Sequence, residues 1–126
     1  MVSVPPREHL HLRGLANDQG PGNALTITIA HEHVTEVFTG FGERGVRAET
    51  VAEQASREAR AYLAHAAPIG EHLADQLLLP MALAGTGSFT CTEVTPHLRS
   101  NALVIERFAG KRTRIDATDT GMRVTI

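Results

Sequence analysis

The chain has 126 residues, of which 42% are hydrophobic and 21% charged, a composition typical of one globular domain and not of a disordered chain. Its formal net charge of −2 argues against broad, charge-driven binding of nucleic acid, although a small site for a nucleic-acid end is compatible with it. The single cysteine excludes an intramolecular disulfide. No apolar run has the roughly 18 residues of a membrane span, and the first residues lack an apolar signal segment, so we expect a cytoplasmic protein.

The first part of the chain contains a lead-in, a loop and two strands. Residues 1–17 have mixed polarity and two prolines, which indicates an irregular lead-in. A loop rich in Gly, Pro and Asn follows at 18–23. Residues 24–29 alternate apolar side chains with Thr and predict a strand. A second strand is predicted at 34–41, with a hairpin turn at 31–33.

Apolar residues at helical spacing predict two helices in the middle of the chain. The first covers 48–67. Thr50 with Glu53 fits a capping box near its start, and the alternative is a cap earlier in the chain. The second covers 71–84 and is followed by glycine, which is typical of a helix end. Because proline interrupts the hydrogen bonds of a helix, we expect a kink or an early end at Pro80.

The last part of the chain predicts one more helix and three strands. A short strand covers 88–94, and the third helix runs over 95–109. Two final strands, 114–117 and 122–126, flank a hairpin signal. The order β-β-α-α-β-α-β-β predicts an α+β fold with helices packed on one face of a β-sheet, as a single domain over 18–126.

His97 is the residue whose local sequence points most directly to chemistry. Thr95 is a good N-cap and Pro96 is favoured at the first helical position, so His97 is expected in the first turn. The free N–H groups and positive dipole there favour a bound phosphate and disfavour the imidazolium. A neutral imidazole beside a phosphate can act as a nucleophile. The alternative is an exposed histidine at a helix start without a catalytic role.

A second candidate is the polar group at the start of the second helix. His72, Asp75 and Gln76 are spaced i, i+3 and i+4, so they share one helix face. The apolar run that follows, 77–83, predicts burial, and polar groups that enter a buried helix need partners. The partners are either neighbouring backbone groups or a ligand with donors and acceptors, such as a nucleoside.

The remaining patterns favour structural roles. Two lone His-x-His pairs, at 9–11 and 31–33, lack the third ligand that a zinc site requires, so we predict no metal site in this chain. Cys91 lies in a predicted strand without a positive environment, which favours packing over reactivity. The basic residues within 111–114 are interpreted as a solvated strand edge. The sequence contains neither a Walker-type phosphate loop nor a Gly-x-Ser-x-Gly elbow.

Three separated segments resemble RNA 3'-terminal phosphate cyclases. Residues 70–85 closely resemble the adenylate-binding segment of that family, and residues 95–108 resemble its active-site helix. The loop 18–23 is also similar to the family. The resemblance runs from about residue 15 to the end of the chain, with the segments in the order that the family has.

The resemblance implies an ATP-dependent enzyme that converts an RNA 3'-phosphate end into a 2',3'-cyclic phosphate. In the family, a histidine takes AMP from ATP, AMP passes to the RNA 3'-phosphate, and the vicinal 2'-hydroxyl attacks that phosphate as AMP leaves. His97 stands at the nucleophile position. The residues implied to bind adenosine are His72, Leu73, Ala74, Asp75 and Gln76. ATP and an accompanying divalent metal, Mg or Mn, are the implied cofactors.

The resemblance covers about the last third of family members and implies the last of three repeated α/β units. The other ATP contacts, the carboxylate near the metal and the smaller inserted domain are then expected in a missing N-terminal part. Residues 1–14 fit the family poorly. We therefore expect the isolated chain to be weakly active or inactive, and to self-associate through apolar surface that the preceding unit would cover.

Two other functions remain open. One is a non-catalytic cyclase-like protein used in ribosome assembly, a branch that keeps the fold without the nucleophilic histidine, so the presence of His97 favours the enzyme. The other is an interaction domain left by truncation, stable but inactive.

Overall fold

The computed structural model describes residues 7–19 and 22–126, and its elements follow the predicted order. Two short 3-10 helices, Arg7–His9 and Asn17–Gln19, come first. The strands are β1 (Asn23–Ala30), β2 (Thr35–Gly42), β3 (Ser88–Cys91), β4 (Arg114–Thr118) and β5 (Gly121–Thr125). The helices are α1 (Ala48–Leu63), α2 (Glu71–Ala84) and α3 (Pro96–Ala109). The predicted α+β class is confirmed, whereas residues 1–6 of the predicted lead-in and 20–21 of the predicted loop lie outside the described residues.

The strands form two antiparallel sheets instead of the single sheet that the sequence predicted. One sheet pairs β1 with β2, and the other has the order β3-β5-β4. Helix α1 packs on β1 and β2, whereas α2 packs against α3 and β3. Each sheet therefore has its own helical cover, and a period-2 pattern cannot tell which strands will pair with which.

The β1–β2 hairpin turns at the predicted position, where the His31 amide donates to the Val34 carbonyl at 2.8 Å. In β2 the alternate residues Glu36, Phe38 and Gly40 are buried. Gly40 permits close approach of α1, because a Cβ there would lie 2.6 Å from the carbonyl oxygen of Val51. One face of β2 is thus pressed against α1.

Helix α1 differs from the prediction at its C-terminal end. It begins at Ala48 with Arg47 as N-cap and no side-chain capping bond, so the cap lies earlier than Thr50, as the alternative to a capping box at Thr50 and Glu53 allowed. Both residues lie inside the helix, where the backbone already supplies the partners. The helix ends at Leu63, four residues before the predicted end, and residues 64–70 connect it to α2. Its buried face has the predicted spacing and consists of Val51, Ala55, Ala59 and Tyr62.

Helix α2 continues through Pro80 to Ala84, so the expected early end does not occur. Pro80 and Gln76 are both exposed, which lets water replace the hydrogen bond that the proline removes. Gly85 then ends the helix in a left-handed conformation with φ of 85°, as the glycine predicted. Successive turns bury Ala74, Leu78 and Ala82.

The buried apolar residues form two clusters, one for each sheet. The smaller cluster contains Phe38, Ala59 and Tyr62. The larger cluster contains Ile69, Ala74, Leu78, Ala82, Cys91, Leu98, Ile105 and Val124. The larger cluster holds α2 and α3 side by side, and these are the helices that carry the candidate site residues.

Candidate functional site

His97 lies where its local sequence predicted, in the first turn of α3. Thr95 is the N-cap, and its hydroxyl oxygen accepts a hydrogen bond from the Leu98 amide at 3.1 Å. Pro96 occupies the first helical position. Leu98, the residue after His97, is fully buried, which anchors the turn to the core. The side chain of His97 is exposed and therefore accessible to a ligand.

The candidate residues at the start of α2 divide into two groups. Ala74 is fully buried and Leu73 half-buried, so these two pack against the core. His72 and Gln76 are exposed, and Asp75 is half-buried. The polar face of α2 therefore points away from the apolar cluster, and its partners are other polar groups.

Asn101 is the partner of Asp75. Its side-chain amide donates to Asp75 Oδ1 at 3.0 Å and also lies 3.5 Å from the Asp75 carbonyl oxygen. Asn101 follows His97 by four residues on α3, so the two share one helix face. This bond links the α2 candidates to the helix that carries His97. Sequence reasoning placed Asn101 in the family-like helix but did not assign it to the site; its spacing from His97 was the available signal.

A cavity of about 290 Å³ opens between α1 and the start of α2. Arg57 and Tyr62 of α1 line one side, and Glu71, His72 and Glu93 line the other. Its size is at the lower end of small-molecule sites. His72 lines this cavity, whereas His97 does not, so the cavity brings only part of the candidate set together.

The carboxyl group of Glu71, in the first turn of α2, lies beside that of Glu93 in the loop before α3. Burial of Glu71 and its hydrogen bond with Glu93 raise its pKa, and the neighbouring imidazole of His72 opposes this effect. His72 Nε2 lies 3.6 Å from Glu71 Oε1. Because Glu93 comes two residues before Thr95, the surroundings of His72 are connected to the start of α3.

The other candidates from the sequence are the histidine pairs, Cys91 and the basic cluster within 111–114. Within 7–19 and 22–126, no group of three or more His, Cys, Asp or Glu side chains could hold a metal ion. Cys91 is fully buried, and its thiol donates to the carbonyl oxygens of Glu93 and Met122. In the basic cluster, Arg114 pairs with Asp116 at 2.9 Å on the edge strand β4.

The helices that the structure describes include none long and apolar enough to cross a membrane.

Comparison with known proteins connects the chain to the family that it resembles. The family model of the RNA 3'-terminal phosphate cyclase insert domain matches residues 4–64. The chain is 47% identical over 121 residues to an RNA 3'-terminal phosphate cyclase of Salmonella typhimurium, and the aligned region covers 96% of this chain and 36% of that protein. It is 58% identical over 97 residues to one of Ralstonia nicotianae, covering 77% of this chain and 28% of that protein. A Pseudomonas aeruginosa cyclase is 52% identical over 114 residues, covering 90% of this chain and 33% of that protein.

The chain spans about a third of the length of the curated relatives that it matches. The match at 4–64 corrects the expectation that the inserted domain is missing, because this stretch contains β1, β2 and α1. The match also includes residues 4–17, most of the predicted lead-in. The division of the chain into 1–17 and 18–126 stays a prediction. The match ends at the residue after α1, where the connection to α2 begins.

Proposed function

We propose that this chain, which belongs to the RNA 3'-terminal phosphate cyclase family, supplies the nucleophile and part of the adenosine site for ATP-dependent cyclisation of an RNA 3'-phosphate end. The observation that carries the proposal is the exposed position of His97 at the capped, positive end of α3, joined to α2 by the Asn101–Asp75 hydrogen bond. The relatives that carry the name of this activity are longer proteins, and this chain covers about a third of their length.

His97 takes the role of nucleophile in this proposal. An imidazole nitrogen attacks the α-phosphorus of ATP, a nitrogen–phosphorus bond forms, and pyrophosphate leaves. AMP then passes to the RNA 3'-phosphate, and the 2'-hydroxyl attacks that phosphate to close the ring and release AMP. The positive end of α3 favours the negative charge that the phosphate brings next to His97.

The polar face of α2 takes the role of adenosine site. The exposed imidazole of His72 can stack on adenine. Since Asn101 occupies Oδ1 of Asp75, the second carboxylate oxygen can accept a hydrogen bond from a ribose hydroxyl. Gln76 offers a further amide, while Leu73 and Ala74 fix the position of the backbone in the core.

A divalent metal, Mg or Mn, accompanies ATP in the proposed reaction. In the part of the chain that the structure describes, no cluster of three or more His, Cys, Asp or Glu side chains is present. No step of the proposal is therefore assigned to metal ligands of this chain. The proposed reaction takes place in the cytoplasm.

A second candidate is an interaction domain without catalysis. It is favoured by the large exposed apolar side chains on α2 and α3, among them Leu83 at 77% and Phe108 at 88% exposure. A non-catalytic scaffold of the ribosome-assembly kind is disfavoured, because that branch lacks the histidine that this chain has at position 97.

Labelling with ATP tests the proposal. A longer protein that contains these residues within the family's full length should acquire acid-labile, alkali-stable AMP from labelled ATP and magnesium. The substitution His97→Ala should abolish the label, whereas His33→Ala, which removes an exposed histidine from the β1–β2 turn, should leave it unchanged. Label that persists in His97→Ala would contradict the assignment. The 126-residue chain alone should label weakly or not at all, and efficient labelling of it would refute the view that the site is incomplete.

A further inference from the structure

The three residues that precede α2 are each bonded to a different element. The Pro68 carbonyl oxygen accepts a hydrogen bond from the Tyr62 hydroxyl of α1 at 2.9 Å. Ile69 forms a parallel bridge with β3. The Gly70 amide donates to Oε1 of Glu36 on β2 at 2.6 Å. The junction 68–70 is therefore the point at which α1, β2 and β3 meet, directly before the proposed adenosine segment.

Of the residues that contact this junction, Glu36 loses the most favourable hydration on folding, because its side chain is charged and buried. It is 4% exposed, and it is the buried charged residue of the part of the chain that the structure describes. A carboxylate without a partner is strongly disfavoured in such a position, and a hydrogen bond from a backbone amide compensates for its lost hydration. The partner, Gly70, lies 34 residues away in the sequence.

Gly70 is also the N-cap residue of α2, and no side chain of its own neighbourhood caps the helix. The first amides of a helix lack partners within the helix, and negative charge is stabilising at that end. The carboxylate of Glu36 provides an acceptor for one of these amides, that of Gly70, and places its oxygens next to this end of α2 from a distant strand. It therefore determines where α2 starts relative to the β1–β2 sheet.

The choice of glycine at position 70 supports the same contact. Its φ of −75° and ψ of 168° are open to any residue, so the backbone does not require glycine. A Cβ at this position would instead lie 3.2 Å from the carboxyl carbon and both carboxylate oxygens of Glu36. Glycine thus permits an approach that a side chain would obstruct.

We propose that Glu36 is a positioning residue that holds the first turn of α2 in place for adenosine binding. His72 and Asp75 follow Gly70 by two and five residues, so a shift of the helix start moves both. This inference rests on the proposed function of α2. Because Glu36 lies in the stretch that matches the insert domain, the contact couples that part of the chain to the nucleotide site.

Amide hydrogen exchange and AMP titration by NMR on the 126-residue chain test the inference. In Glu36→Leu the acceptor is lost, and exchange at 70–76 should speed up by roughly tenfold or more, while the core amides of Leu78 and Val124 stay protected. AMP-induced shifts in α2 should weaken by a similar factor. Glu36→Gln keeps an acceptor oxygen and should restore most of both signals.

Matched controls separate positioning from a general loss of structure. Glu43→Leu changes an exposed glutamate and should alter neither signal. Gly70→Ala should act like Glu36→Leu in a milder form, whereas Gly22→Ala, where a Cβ would have ordinary contact at 3.7 Å, should have no effect. If Glu36→Leu does not fold, Gly70→Ala provides the same test with the buried carboxylate still present.

Unchanged exchange at 70–76 in both Glu36→Leu and Gly70→Ala would overturn the inference, and so would faster exchange that leaves AMP binding unaltered. Uniformly faster exchange through the core, without rescue by Glu36→Gln, would also overturn it, since the role would then be purely structural. A wild-type chain that shows no AMP-induced shifts contradicts the assignment of α2 as the part of the adenosine site that this chain supplies, and the exchange pattern still decides whether Glu36 anchors the segment.

Discussion

The side-chain amide of Asn101 donates a hydrogen bond to the carboxylate of Asp75 at 3.0 Å, and this bond joins α3 to α2. Asn101 lies one helical turn after His97, and Asp75 lies one turn after His72. Apolar contacts hold the two helices together on the core side, but this polar bond sets their relation on the side where the candidate residues lie. It is therefore the link between the proposed nucleophile and the proposed adenosine segment.

Removal of this link should lower both stability and nucleotide binding. Asn101→Ala leaves a half-buried carboxylate without its donor, and we expect a loss of about 1–3 kcal/mol in the free energy of unfolding, measured with urea. Ser100→Ala changes an exposed neighbour on the same helix and should cost little by comparison. Equal changes in the two variants would show that the bond contributes nothing to the free energy of unfolding.

The start of α3 depends on the Thr95 cap. Thr95→Ala removes the oxygen that accepts from the Leu98 amide, and it should lower the free energy of unfolding by about 1 kcal/mol. Thr95→Ser keeps the acceptor and should retain most of the stability. Urea denaturation checks both variants. A Thr95→Ser variant as unstable as Thr95→Ala would mean that packing of the threonine methyl group, and not the cap, is what matters.

The thiol of Cys91 should react slowly with alkylating reagents in the folded chain, and its contribution to the free energy of unfolding should decrease at alkaline pH. Burial raises its pKa above the ordinary value of 9.0, so the protonated thiol predominates near neutral pH and alkylation should be slow until urea unfolds the protein. The unfolded chain releases this proton first as the pH rises. The stabilisation is thus fully present below about pH 9 and is lost as the pH rises through the folded pKa.

Tyr62 also has a raised pKa, because it is buried and lies near the Glu36 carboxylate. A comparison of the wild type with Cys91→Ala separates the pH dependence due to the thiol from that due to Tyr62. Urea midpoints measured from about pH 8 to about pH 11 should fall more steeply in the wild type than in Cys91→Ala. Parallel curves for the two proteins would exclude a contribution from the thiol.

The isolated chain should self-associate through the exposed apolar side chains of α2 and α3. Leu79, Leu83, Leu103, Val104 and Phe108 are between 49% and 88% exposed. Such a concentration of apolar surface is typical of an interface. Light scattering should detect association that increases with concentration and that Leu83→Lys with Phe108→Lys reduces. Lysine substitution of Leu12, an exposed leucine near the start of the chain, is the matched control. A monomer at high concentration would argue against the prediction.

The order of the elements could be read from the sequence, because the signals that define them are local. Thr95 and Pro96 define the start of α3, and Gly85 defines the end of α2, each through its own backbone preferences. The end of α1 was predicted too late because alanine-rich residues 64–67 favour a helix by propensity alone. The proline at 68 and its hydrogen bond with Tyr62 instead turn the chain there.

The candidate site shows the same division. The place of His97 in a capped first turn, and the shared face of His72, Asp75 and Gln76, follow from spacing within single helices and were predicted from it. Spacing could not name Asn101 as the partner of Asp75, since that contact joins residues of two helices, 26 positions apart. A helical period describes which residues share a face, but it does not describe what the face meets.

The sequence by itself therefore determined the α+β class, the order of strands and helices, and the residues that stand at the proposed nucleophile and adenosine positions. Only the tertiary structure decided that the strands divide between two sheets and that Glu36 reaches Gly70 across 34 residues. The physical reason is that caps, turns and periodicity act over a few residues. Strand partners and the hydrogen bonds of buried charges depend on which distant segments the packing of the core brings together.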